Sequence, residues 1–81
     1  MPEPETYAHI GQVVRALRVK RGWTQADLAG KFGVVGPYIS MLETGKEGYT
    51  NPQLDTLERY ATAFNLSASD LIAMIDRKVP A

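Results

Sequence analysis

Apolar residues recur along this chain at the spacing of a helix. Ile10, Val13, Val14 and Leu17 fall at i, i+3, i+4 and i+7, the stripe of an amphipathic helix. Thr6 stands ahead of them as a candidate N-cap. Arg18, Lys20 and Arg21 load the last turn with positive charge, which complements a helix C-terminus, and Gly22 stops it. Thr24-Gln25-Ala26-Asp27 then reads as a capping box, with Asp27 where Glu is usual. Leu28, Ala29 and Phe32 give a short apolar face that ends at Gly33. Val34 and Val35 alone separate this segment from a third helix, over about 36–43, with Gly36 and Pro37 in its first turn. Ile39 and Leu42 are its inward residues, and Gly45 closes it.

The longest loop covers residues 45–51. Asn51-Pro52 predicts the next start, with Asn51 as N-cap and Pro52 at the first helical position. Leu54, Leu57, Ala61 and Phe64 are expected on the inner face of that helix. Ser67-Ala68-Ser69-Asp70 is a second box-like start, and Leu71, Ile72, Met74 and Ile75 make the last helix apolar over a broad face. No segment alternates with period two over strand length. The expectation is an all-α fold of five short helices. One domain over 6–76 is expected, between a mobile tail at 1–5 and a frayed end at 77–81.

Composition narrows the function. Eighty-one residues allow one domain, and 44% apolar residues suffice for a small core. With no cysteine and one histidine, His9, neither a thiolate metal site nor an imidazole cluster is available. His9 is read as a solvated residue near the start of the first helix. No apolar run approaches the roughly 20 residues a membrane helix needs, and the acidic start Met-Pro-Glu-Pro-Glu is unlike a signal peptide. A cytoplasmic binding module without metal, cofactor or small-molecule ligand is expected. Scattered carboxylates such as Asp55, Glu58 and Asp70 suit solvated faces better than catalysis, and no phosphate loop or nucleophile elbow is present.

Two short helices joined by a tight glycine-containing turn suggest a helix-turn-helix. The run from Gly22 through Thr24-Gln25-Ala26-Asp27-Leu28-Ala29, then Gly33-Val34, then Tyr38-Ile39-Ser40-Met41-Leu42-Glu43-Thr44-Gly45-Lys46 resembles the Cro and lambda-repressor-like DNA-binding family. Asn51-Pro52 with Leu54-Asp55-Thr56-Leu57, and Leu66-Ser67 with Asp70-Leu71, resemble its fourth and fifth helices. The resemblance covers about residues 9–75 and implies a compact five-helix bundle whose third helix enters the major groove of duplex DNA. It implies a DNA face of Val35, Gly36, Pro37, Ser40 and Met41, with Tyr38 at its border, ring packed and hydroxyl toward a phosphate. Thr24 and Gln25 would grip a phosphate from the start of the second helix, with Gln25 also bracing the third. Arg18 and Glu43 match a structural ion pair between the first and third helices. Thr44, Lys46, Tyr49, Thr50 and Asn51 would run along the DNA backbone, with Tyr49 either a backbone contact or a packed loop residue.

Two features depart from the family pattern. Base-reading positions that usually carry Gln, Arg, Asn, Ser or Lys hold Gly36, Pro37 and Met41, which donate no hydrogen bond to a base edge. Readout would then lean on thymine-methyl contacts, water and DNA shape. Residues 24–50 also carry two basic against three acidic side chains, so phosphate attraction is weak. These departures leave open a helix-turn-helix adaptor or antitoxin-like module that acts through protein contact. The leading expectation is a transcriptional repressor, a homodimer on a palindromic operator, with Ile72 and Ile75 as candidate dimer residues.

Overall fold

The computed structural model describes residues 9–46 and 48–77. Five helices account for the ordered elements: α1 (Ile10–Lys20), α2 (Gln25–Phe32), α3 (Gly36–Thr44), α4 (Leu54–Ala63) and α5 (Ala68–Arg77). No strand occurs among the described residues. Thr6, the N-terminal tail and residues 78–81 lie outside the described residues; α1 begins after His9, whose side chain caps nothing.

Each helix buries the stripe its spacing dictates. Ile10, Val13, Val14 and Leu17 of α1 pack with Leu28, Ala29 and Phe32 of α2 and with Ile39 and Leu42 of α3. Leu57, Tyr60, Ala61 and Phe64 close the core from α4 and its C-cap, and Leu71 and Ile75 from α5. Aromatic stacking ties the layers: Phe32 lies on Tyr60 with centroids 4.3 Å apart and meets Phe64 edge-on at 5.9 Å. Trp23 stacks on the other side of this cluster, 5.7 Å from Phe64, and carries the Lys31 ammonium 4.4 Å from its ring centre.

Four helix ends share one device. The residue after each of α1 to α4 or their C-caps turns left-handed at Gly22, Gly33, Gly45 and Asn65. The following amide then reaches back five residues, as in Trp23 N to Arg18 O at 3.1 Å and Leu66 N to Ala61 O at 2.8 Å. This Schellman geometry satisfies otherwise orphaned carbonyls. It reverses the chain sharply enough for α2 and α3 to be joined by three residues.

Three expectations from the sequence are corrected. Helix α4 starts at Leu54 with Gln53 as N-cap, not at Asn51-Pro52. Pro52 biases Asn51 toward extended backbone, and Gln53 itself is extended at ψ 165°. The buried stripe begins at Leu57, so Leu54 lies in an overhanging first turn and is 60% exposed, off the inner face. Ile75 is 2% exposed and seals the monomer core, so it is unavailable as a dimer residue; Ile72 is half-buried against the same core. The Ser67 start holds, with Ser67 Oγ accepting from Asp70 N at 3.0 Å.

Candidate nucleic-acid interface

The start of α2 is fixed by a reciprocal capping box. Thr24 Oγ1 accepts from Asp27 N at 3.0 Å, and the Asp27 carboxylate accepts from Thr24 N at 2.9 Å. The Thr24 amide holds the Asp27 carboxyl below its ordinary pKa, aided by the Thr24 hydroxyl. Gln25, the first residue of α2, is thereby aimed across the helix pair. Its Nε2 donates to Glu43 Oε1 at 3.1 Å. An amide nitrogen carries two protons, so one remains for a further acceptor.

Glu43, near the end of α3, is the junction of three helices. Arg18 of α1 donates to its carboxylate from Nε at 2.6 Å and from Nη2 at 3.1 Å, and reaches Trp23 O from Nη1 at 2.8 Å. The side chains of Arg18 and Glu43 are 11% and 3% exposed. The bond to Glu43 raises the Arg18 pKa further above its already high ordinary value, against the opposing effect of burial. Such fork-like contacts fix orientation as well as charge.

Gly11 permits this closeness. A Cβ placed there would overlap the carbonyl oxygen of Leu42 and press on that of Glu43 at 3.0 Å. Backbone of α1 therefore rests directly on backbone of α3. The only hint in the sequence is a glycine inside an otherwise helical period, and its role went unread.

The outer side of α3 is what this frame presents. Pro37, Ser40 and Thr44 are exposed, and Gly36 and Met41 are half-buried. Val35, the N-cap residue, is 71% exposed. Thr44 Oγ1 turns back to donate to Met41 O at 3.1 Å. No lysine or arginine lies in α3, and its one carboxylate, Glu43, is engaged with Arg18 and Gln25. The stripe offers apolar surface and the Ser40 hydroxyl.

Tyr38 differs from expectation. Its hydroxyl is hydrogen-bonded to that of Tyr60 inside the bundle, rather than turned outward toward a phosphate. Burial, then the bond to Tyr38, pushes the Tyr60 phenol far above its ordinary pKa. Tyr60 was not expected in the core. Its place between Leu57 and Phe64 at helical spacing was the missed signal. Tyr49 packs edge-on to Tyr38, with centroids 5.1 Å apart, so its ring is a packed loop residue. Lys46 and Asn51 are exposed and Thr50 is half-buried along the same loop.

Among the described residues no cluster of metal-binding side chains occurs, and no helix is long and apolar enough to cross a membrane.

Comparison with known proteins agrees with this architecture. A helix-turn-helix family model matches residues 14–71. The chain is 42% identical over 67 residues to the competence pilus inhibition repressor of Acinetobacter baylyi, covering 83% of this chain and 58% of that protein. It is 38% identical to an uncharacterised helix-turn-helix-type transcriptional regulator of Archaeoglobus fulgidus, over 82% of this chain and 90% of that one. The chain spans about half the length of several curated relatives, including the repressor above. Among solved structures, the clp gene regulator ClgR of Corynebacterium glutamicum superposes with a TM-score of 0.75 at 26% identity, over 95% of this chain and 79% of that one. On the matched family model, the five-helix order and the helix pair braced through Glu43, this chain belongs to the Cro/C1-type helix-turn-helix family.

Proposed function

We propose that this chain acts as a sequence-specific, duplex-DNA-binding transcriptional repressor that inserts α3 into the major groove. The observation that carries the reading is the Glu43 junction. It ties the amino end of α2 to the far end of α3, so a phosphate-gripping Gln25 and a groove-facing stripe of Pro37, Ser40 and Met41 belong to one rigid frame. Phosphate contacts would set the position and the α3 stripe would read the bases. Thr24, Lys46, Thr50 and Asn51 would add backbone contacts around that stripe. The repressor role is drawn from the similarity to the Acinetobacter protein of that name.

One domain of this size makes few contacts, so two copies on an inverted repeat, with half-site centres about 10 base pairs apart, are part of the proposal. Partly exposed α5 residues such as Ile72 are candidates for that contact, without Ile75.

Selection of bound duplexes from a random pool tests the reading, followed by affinity measurements across salt concentrations and sedimentation of the complex. One enriched palindromic motif, salt-sensitive binding and two chains per site are expected. The exposed, apolar Val35 and Pro37 favour a protein-contact module as the second reading. Failure to enrich any motif, with no salt-dependent retention on DNA, would decide for it.

A further inference from the structure

We infer that the α3 face reads the 5-methyl group of pyrimidines, so that 5-methylcytosine can stand in for thymine in its recognition site. This rests on the DNA-binding reading above and concerns what that surface distinguishes.

The stripe on α3 lacks the side chains that discriminate bases by paired hydrogen bonds. Discrimination between base pairs in the major groove comes from bidentate donors and acceptors of Arg, Lys, Asn and Gln, from carboxylates accepting from cytosine, and from contact with the thymine methyl. Helix α3 has no Arg, Lys, Asn or Gln, and its one carboxylate, Glu43, is already shared by Arg18 and Gln25. The Thr44 proton is given to Met41 O at 3.1 Å. Ser40, exposed at the centre of the stripe, offers a hydroxyl that donates or accepts equally well. It meets the O4 acceptor of thymine or the N4 donor of cytosine without preferring either.

What remains is apolar. Pro37 and Met41 stand at i and i+4 and so share one side of the helix. About 6 Å of helix rise separates them, close to two base-pair steps of DNA. Val35, 71% exposed, continues the surface at the start of α3. The major-groove feature that such side chains can recognise by contact is a methyl group. Cytosine methylated at carbon 5 presents that group in the same place as thymine. The exocyclic group at carbon 4, which separates the two bases, faces only a hydroxyl that tolerates both.

The order of affinity at the contacted positions is therefore thymine and 5-methylcytosine together, above uracil and unmodified cytosine. The experiment takes the duplex selected from a random pool and replaces each pyrimidine in turn by deoxyuridine, deoxycytidine or 5-methyldeoxycytidine, with the matching partner base. At one or two positions per half-site, loss of the methyl should weaken binding about fivefold, and 5-methylcytosine should restore most of it. Met41→Ala and Pro37→Ala should each flatten the preference at a different position, with melting curves confirming that both variants are folded. Should either variant unfold, the base-replacement series on the unchanged protein decides alone. A selected duplex bound equally well with every thymine replaced by uracil would overturn the inference and assign specificity to DNA shape, leaving the DNA-binding reading intact. Failure to select any duplex would overturn both.

Discussion

Arg18 and Glu43, 25 positions apart in the chain, meet side-on, with guanidinium Nε 2.6 Å and Nη2 3.1 Å from the two carboxylate oxygens. Neither side chain is more than 11% exposed. Removing one partner leaves the other charged and largely cut off from water, which typically costs about 3–5 kcal/mol in a buried pair. Each variant also strands a third group, Gln25 Nε2 in Glu43→Ala and the Trp23 carbonyl in Arg18→Ala, so both should be strongly destabilising. Denaturant melts of both single variants and the double variant would measure this. A cycle with no coupling energy would remove the pair as the element that orients α3.

Gln25 separates positioning from readout. Its amide bonds Glu43 and retains a second proton. Gln25→Ala should weaken binding about equally on the selected duplex and on random DNA, since phosphate contacts do not specify sequence. Gln25→Glu should be worse on both, with a new carboxylate placed against Glu43 and toward the phosphates. Affinity titrations of the two variants on both duplexes would check this, and an altered base preference at unchanged overall affinity would contradict the assigned role.

Much of the frame was legible because it is built from local chemistry. The stripes of α1 and α2, the Thr24–Asp27 box and the glycines after the first three helices are written in adjacent residues. The start of α4 was misread because Asn51-Pro52 has the chemistry of a helix start, whereas the first buried side chain is Leu57. Tyr60 is absent from the stripe read for the fourth helix, yet its ring lies flat on Phe32 and its hydroxyl pairs with that of Tyr38. That pairing is set by tertiary packing and has no trace at short range. The Arg18–Glu43 contact came only through family resemblance, since nothing within either helix announces a partner 25 residues away.

The tyrosine pair makes a testable case of buried polar satisfaction. Tyr60 is 2% exposed, and its hydroxyl bonds that of Tyr38. Tyr38→Phe should destabilise the domain by about 1–3 kcal/mol, because it leaves the Tyr60 hydroxyl buried without its partner. Tyr60→Phe should cost less, since Tyr38 is only half-buried and its hydroxyl can turn to water. With both replaced, no polar group is stranded and most of the loss should return. Four melting curves decide it, and additive single losses would show that the hydroxyls do not depend on each other.

Gly11 and Gly30 should respond in opposite directions to the same substitution. Both lie within helices, where alanine is preferred over glycine by about 1 kcal/mol. Nothing lies within 4 Å of a Cβ added at Gly30, which is exposed on α2, so Gly30→Ala should stabilise by roughly that amount. At Gly11 the added carbon would overlap the Leu42 carbonyl oxygen and crowd that of Glu43. Both obstacles are backbone, so they cannot swing aside as a side chain could. Helices α1 and α3 would have to separate, stretching the Arg18–Glu43 contact and loosening Ile10 and Val14 against Ile39 and Leu42. Overpacking of this kind costs about 1–3 kcal/mol, enough to outweigh the gain in helix propensity. Gly11→Ala should therefore lower the melting temperature while Gly30→Ala raises it. DNA affinity should fall only in the first, because only there is α3 displaced from the frame that carries Gln25. A rise in melting temperature for both would mean that α1 and α3 are not in backbone contact at Gly11.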